Sequence, residues 1–208
     1  GGTSSGALTM VDGTVINAGN ATIALLADEN ITVGQVTTTN TSTTAVTLTS
    51  TEGGIVDGGD TGGADVITAG GRLVIDAVTG VGNGAALETT VASVDIDNAT
   101  SGNIEINETN AITVFKAVQG TAGNIGIAAG GTITVANGTT NNAITAAGSG
   151  TITLSTSSGG DVLINSSIES VTGGIVVAAN HVLTIANGAV IDAGSGTIAL
   201  QAQENITL

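Results

Sequence analysis

The chain repeats itself near its two ends, and this repeat limits its possible folds more than any other feature. LTMVDGTVINAGNATIALLADENITV, from Leu8, aligns without a gap with LTIANGAVIDAGSGTIALQAQENITL, from Leu183. Of the 26 aligned positions, 16 are identical. A unit of about 175 residues therefore recurs, which is typical of a protein built from stacked structural repeats.

A shorter period lies inside the long one. Leu8 and Ile31 are separated by the same interval as Leu183 and Ile206, and two similar segments, AAGSGTITL and DAGSGTIAL, lie at twice that interval. Apolar pairs follow one another every seven or eight positions along the chain. We therefore predict coils of about 23 residues with three short strands each. Apolar positions alternate within these strands at Ile23/Leu25, Ile31/Val33, Ile133/Val135, Ile152/Leu154, Leu183/Ile185 and Ile198/Leu200.

The composition fits an all-β parallel β-helix, or β-solenoid. The chain has 33 glycines, no proline, and an apolar set made almost wholly of Ala, Val, Ile and Leu. Such uniform side chains suit repeated layers, and glycine suits the tight turns between short strands. We predict one solenoid over 1–208, with about 1–175 as one unit and 176–208 as the start of the next in a chain cut from something longer. Strand spacing is irregular over 34–130, where we predict loops at Thr37–Thr44 and Gly53–Gly63, and Phe115 with Lys116 is expected to mark a loop or a wider core.

Charge excludes two classes of partner. Seventeen acidic residues stand against two basic ones, Arg72 and Lys116, and the formal net charge is −15. Nucleic acids and anionic membrane surfaces are bound through clusters of Lys and Arg, which this chain lacks. No apolar run approaches the roughly 18 residues of a membrane-spanning helix, so no membrane insertion is expected. Without cysteine, no disulfide or thiolate metal site can form.

The segments GGTITVANG, GSGTITLSTSSGGDVLI and GTIALQAQENITL resemble the strand-turn repeats of filamentous-haemagglutinin-like adhesins and giant bacterial β-strand-repeat surface proteins. The resemblance implies a right-handed parallel β-helix at the cell surface or in the extracellular space. It also implies a role in adhesion, aggregation or filament building, as in biofilms. We therefore expect a non-enzymatic structural or adhesive rod that associates with itself end to end, with cell-surface or matrix glycans as possible partners.

Two alternatives concern the acidic stretch around GGADVITAGG. Asp57, Asp60 and Asp65 on glycine-rich turns are a possible calcium site, because oxygen ligands suit Ca²⁺. The favoured interpretation is a solvated acidic loop, so no metal ligand is assigned. Arg72 beside these aspartates is also compatible with a β-helical polysaccharide lyase. We favour instead a surface ion pair of Arg72 with Asp76 or another nearby acid, and we assign no catalytic or cofactor-binding residue and no cofactor.

Other candidate residues are weaker. Outward threonines at Thr132/Thr134 and Thr151/Thr153 would have to lie in register on one flat face for ice binding, and the high β propensity of threonine is the favoured explanation. His181 has Gly6 as its counterpart one repeat earlier, so the position does not require an imidazole. Eight glycosylation sequons begin at Asn20, Asn30, Asn40, Asn98, Asn107, Asn137, Asn165 and Asn205.

Overall fold

A computed structural model describes residues 6–82, 84–136 and 142–208, and these contain strands and turns but no helix. They form a parallel β-solenoid, as the sequence predicts. The strands are β1 Leu8–Thr9, β2 Val15–Asn17, β3 Ile23–Ala27, β4 Ile31–Val33, β5 Gln35–Thr38, β6 Val46–Ser50, β7 Ile55–Asp57, β8 Val66–Thr68, β9 Arg72–Ala77, β10 Leu87–Thr90, β11 Ser93–Asn98, β12 Ile104–Glu108, β13 Ile112–Gln119, β14 Ile125–Ala129, β15 Ile133–Val135, β16 Asn142–Ala146, β17 Ile152–Thr156, β18 Val162–Ile164, β19 Ser167–Ser170, β20 Ile175–Ala179, β21 Leu183–Ile185, β22 Ile191–Asp192, β23 Ile198–Ala202 and β24 Ile206–Thr207.

Successive turns stack in register along one continuous column of residues. The column starts at Leu8 and reaches Ile198 in eight steps, each of them a parallel pairing between neighbouring turns. Every step is close in length to the predicted coil period. At about 4.8 Å per strand spacing, eight steps span about 38 Å. The members of the column are Leu8, Ile31, Ile55, Val81, Ile104, Ile125, Ile152, Ile175 and Ile198.

Alternation decides which side chains form the core. Ile31/Val33, Ile133/Val135 and Ile152/Leu154 have no exposed surface, which confirms these predicted inward pairs. The core continues through the irregular stretch, where the two predicted loops are partly wrong. Thr37 and Thr38 belong to β5 and Ile55–Asp57 forms β7, because the neighbouring apolar side chains Val36 and Ile55 are fully buried in the stack.

The stack has three faces, whose membership changes halfway along. Face I holds β1, β4 and β7; face II runs from β2 through β5, β8 and β10 to β12 and on to β23; face III runs from β3 through β6, β9 and β11 to β13. At β12, faces I and II join, because Ile104 continues face I through Val81 while Ile106 pairs with Leu87 of β10. In the same turn as β12, the long strand β13 splits face III, because its two halves pair with β15 and β16 of the following turn. Three strands per turn are thus restored.

Residues one long repeat apart form the same contacts on different faces. Leu8 pairs with Ile31 in face I, and their counterparts in the second copy, Leu183 and Ile206, pair in the continuation of face III. The Leu8 column reaches Ile175 after seven turns, and Leu183 lies one strand further along the same turn. The long repeat therefore corresponds to seven turns and about one third of another.

Five glycines stack at the corner that precedes face II. A Cβ added to Gly123, Gly150, Gly173 or Gly196 would collide with the backbone oxygen of the column glycine one turn earlier, and one added to Gly102 would collide with that of Thr79. Neither partner is a side-chain end that can move aside. This corner therefore accepts no side chain while the turns keep their spacing.

We expect Gly150→Ala to lower the free energy of unfolding by about 1–3 kcal/mol, the usual cost of forcing a methyl group into a closely packed site. Gly126→Ala is the matched control, since Gly126 faces outward in β14 and its nearest neighbour to an added Cβ is 4.0 Å away. Chemical denaturation of both variants measures the difference. Equal stability of the two variants would contradict the steric role of the glycine column.

Candidate functional site

Three carboxylates meet at the corner between faces I and II. Asp57 ends β7, Asp60 lies in the turn that follows, and Glu88 comes from β10 one turn of the solenoid later. One carboxylate oxygen from each lies within 4.8 Å of the others. The sequence grouped Asp57 and Asp60 with Asp65 and missed Glu88. Glu88 follows Asp65 by one coil period, so the period itself was the signal that could have found it.

Asp65 is buried directly beside this cluster, with no exposed surface. Its backbone N–H donates to the Glu88 carbonyl at 2.9 Å, and the Glu88 N–H donates to Asp65 Oδ2 at 3.0 Å. The other oxygens, Asp65 Oδ1 and Glu88 Oε2, are buried and accept no hydrogen bond from the described residues. Burial, together with the negative charges of Asp57 and Glu88, raises the pKa of Asp65 to about 8. Burial, then Asp57 and Asp60, also raises the pKa of Glu88.

The loop that carries Asp60 is tied to the turns beneath it. Asp12, from the first turn, accepts hydrogen bonds from the backbone N–H of Thr61 at 3.0 Å and from its hydroxyl at 2.6 Å. Gln35 Nε2 donates to the carbonyls of Gly62 and Ala64 at 3.0 and 3.2 Å. These contacts hold the loop that carries Asp60 against the side of the solenoid.

Arg72 lies on face III, away from the acidic cluster. Its guanidinium is 4.0 Å from the centre of the Phe115 ring and 3.9 Å from Asp95. The predicted surface ion pair therefore forms with another nearby acid, Asp95, and not with Asp76. Asp76 lies four residues along the same strand, whereas Asp95 extends from β11 of the next turn. The lyase interpretation requires Arg72 to lie beside the aspartates of the acidic stretch. The structure instead places Arg72 on a different face.

Phe115 and Lys116 lie within strand β13, so of the two predicted alternatives, a loop or a wider core, the loop is wrong. The pairing of β11 with β13 shifts between Val94 and Asp95, and this bulge leaves Phe115 as the extra residue. The bulge turns the ring toward Arg72 on the outside of the face. Lys116 Nζ then lies 2.5 Å from the carboxylate of Asp97, one turn earlier.

His181 bridges acidic side chains from the turns on either side. Its Nδ1 is 2.7 Å from Asp161 and its Nε2 is 3.1 Å from Glu204. The hydrogen bond with Asp161 is the main cause that raises the pKa of His181, and the same contact lowers the pKa of Asp161. Both ring nitrogens point to carboxylates, so the imidazole joins three turns.

The threonine pairs do not form one flat face. Thr134 lies in β15, in the continuation of face III, whereas Thr153 lies in β17 on face II. The predicted arrangement in register, which ice binding requires, is therefore wrong for these pairs.

Among the glycosylation sequons, Asn98 is fully buried and uses its amide in hydrogen bonds to Ser101 and Gln119, so it cannot carry a glycan in the fold. Asn137 lies outside the described residues.

Comparison of the chain with models of protein families, with curated proteins and with solved structures finds no match. The class defined here is thus the architecture, a three-stranded parallel β-solenoid with an acidic cluster at one corner. Among the described residues, no helix is long and apolar enough to cross a membrane.

A second buried carboxylate, Glu108 of β12, has a different environment. It is 1% exposed, and it accepts hydrogen bonds from the Thr89 hydroxyl at 2.8 Å and from the backbone N–H of Val91 and Asn110 at 3.0 and 3.2 Å. Burial is the main cause that raises the pKa of Glu108 above its ordinary 4.5. The Glu108 carboxyl therefore stays protonated to a higher pH in the folded state than in the unfolded state.

Because the folded state binds the extra proton, the contribution of Glu108 to stability falls as pH rises from about 4.5 through its raised folded pKa. Over this pH window, we expect the free energy of unfolding of Glu108→Gln to rise relative to that of the wild type. Glu52→Gln, at an exposed acid, is the control. Denaturation at a series of pH values measures both differences, and a constant difference for Glu108→Gln would contradict the assignment.

Proposed function

We propose that this protein is a structural and adhesive rod, as a segment or subunit of a bacterial surface adhesin or extracellular filament, without enzymatic activity. The solenoid architecture supports the proposal, because its length grows by adding turns while its cross-section stays constant. The resemblance of its repeats to bacterial surface adhesins supports an extracellular location and surface glycans as partners.

One observation carries the proposal: the same positions of the repeat are buried wherever a further turn of the solenoid follows them. Ile206 is 45% exposed, whereas its counterpart Ile31 is fully buried; Ile198 is 47% exposed, and its counterpart Ile23 only 5%. In the first copy, the following turn covers these positions. A further turn of the same repeat would cover Ile198 and Ile206 in the same way, whether it comes from the same chain or from a second one.

The sides of the rod favour growth along its axis. Outward positions carry many threonine, asparagine and acidic side chains among scattered apolar ones such as Leu26 and Val171, and the net charge is −15. Like charges repel when two such rods approach side by side, and salt screens this repulsion over about 8–10 Å. Axial contact instead joins apolar side chains and unpaired backbone groups. The proposed self-association is therefore end to end.

Joining copies of the repeat tests the rod directly. We consider chains with one, two or three tandem copies of residues 8–182, each chain ending in a single 183–208 segment. Each added copy should lengthen the rod by about 35 Å, because it adds about 7.3 turns at about 4.8 Å per turn. Electron microscopy and small-angle scattering measure the length and the cross-section. Separate globular particles joined by linkers, or a cross-section that grows with copy number, would contradict the proposal.

A lysine at the end of the stack tests the association. Ile206→Lys should abolish concentration-dependent elongation, because a charge at this position cannot be buried under a following turn. Val171→Lys is the control, since Val171 is 47% exposed on the side of the stack at a turn after β19. Sedimentation over a range of protein concentrations measures both. If Val171→Lys alone prevented association, lateral contact would replace the end-to-end arrangement.

A further inference from the structure

The acidic cluster at the corner of faces I and II has no positively charged partner among the described residues. The chain has three basic side chains in all, Arg72, Lys116 and His181. Each of them pairs with other acids, at Asp95, Asp97, and Asp161 with Glu204. The negative charge of the cluster is therefore not neutralised from within the described part of the chain.

Two buried carboxyl oxygens, one beside the cluster on Asp65 and one within it on Glu88, accept no hydrogen bond from the described residues. Asp65 has no exposed surface, yet its Oδ1 has no donor, and the same is true of the buried Glu88 Oε2. The Glu88 backbone N–H donates to the other oxygen of Asp65, which places the two residues side by side. Two buried carboxyl oxygens in this position are costly unless a cation or a shared proton lies between or beside them.

The dimensions of the cluster suit a calcium ion. The ligand oxygens of Asp57, Asp60 and Glu88 lie within 4.8 Å of one another. Oxygens that share one Ca²⁺ at the usual 2.3–2.6 Å lie within about 5.2 Å of one another, and these three oxygens meet that limit. Asp60 and the exposed side of the cluster leave room for water, which commonly completes the six to eight ligands of such an ion.

We propose that Asp57, Asp60 and Glu88 bind a calcium ion, with the buried carboxyl of Asp65 behind them. Asp57 and Asp60 belong to the third turn and Glu88 to the fourth, so the ion joins two turns and fixes the intervening loop. The inference does not depend on the rod proposal, because it concerns the side of the solenoid and not its ends.

Isothermal titration calorimetry of the 208-residue chain, cleared of metal with a chelator, tests the site with calcium chloride. We expect one saturable site per chain, and a higher melting temperature with calcium than without it. Asp60→Asn removes an exposed ligand and should fold normally, but should bind calcium at least about tenfold more weakly. Glu88→Gln should have the same effect. Asp76→Asn removes the same charge from an exposed position on face III and should bind like the wild type.

Three outcomes would overturn the proposal. The first is the absence of saturable binding by a wild-type chain whose melting curve shows that it is folded. The second is an equal loss of binding in Asp76→Asn, which would indicate diffuse attraction to net charge. The third is a melting temperature that rises on acidification and is indifferent to calcium, which would show that Asp65 and Glu88 share a proton and hold no metal. Magnesium chloride in the same titration distinguishes calcium binding from a general preference for divalent cations.

Discussion

Every turn of this protein has to lie one strand spacing from the turn before it, and the rest of the structure depends on that constraint. The spacing lets backbone groups of successive turns pair along the whole stack, but it leaves little room at the corners. The glycine column beside face II is one response, because there the backbone of one turn occupies the place of a side chain in the next. Another corner holds Ala77, Asn98, Gln119, Ala146 and Ser170 in register. Asn98 and Gln119 satisfy their buried amides by bonding to each other and to turn backbone.

The sequence predicted those parts of the fold that depend on local alternation. Apolar pairs such as Ile133/Val135 lie inward because a strand turns every second side chain to the same side, and the coil period follows from repeated inward positions. The change of faces could not be predicted in this way. It depends on whether two neighbouring strands of a turn are separated by a loop, as β1 and β2 are, or are fused into one continuous strand. Such fusion occurs within β12 and again within β13. Apolar alternation is similar in both cases.

The candidate site was only half visible for a related reason. Asp57 and Asp60 are close in sequence, but Glu88 joins them through stacking, which brings together residues about one turn apart. The same reasoning corrects Arg72, whose partner Asp95 comes from the adjacent turn and not from its own strand. Each basic side chain of the protein pairs with an acid from a neighbouring turn. Long-range pairs of this kind depend on the register between neighbouring turns. That register is set by the lengths of the loops, which cannot be read from the alternation of apolar residues within the strands.

The extra third of a turn in the long repeat has a geometric consequence for any array of such units. Each successive copy starts one face further around the axis, so equivalent residues follow a threefold screw. Three copies, or about 22 turns and roughly 105 Å at the usual strand spacing, return a residue to its original side. A feature that occurs once per unit, such as the acidic corner, would then point in three directions about 120° apart. A rod of this kind has no preferred side, and a surface that approaches it from any direction meets each feature of the unit within one pitch.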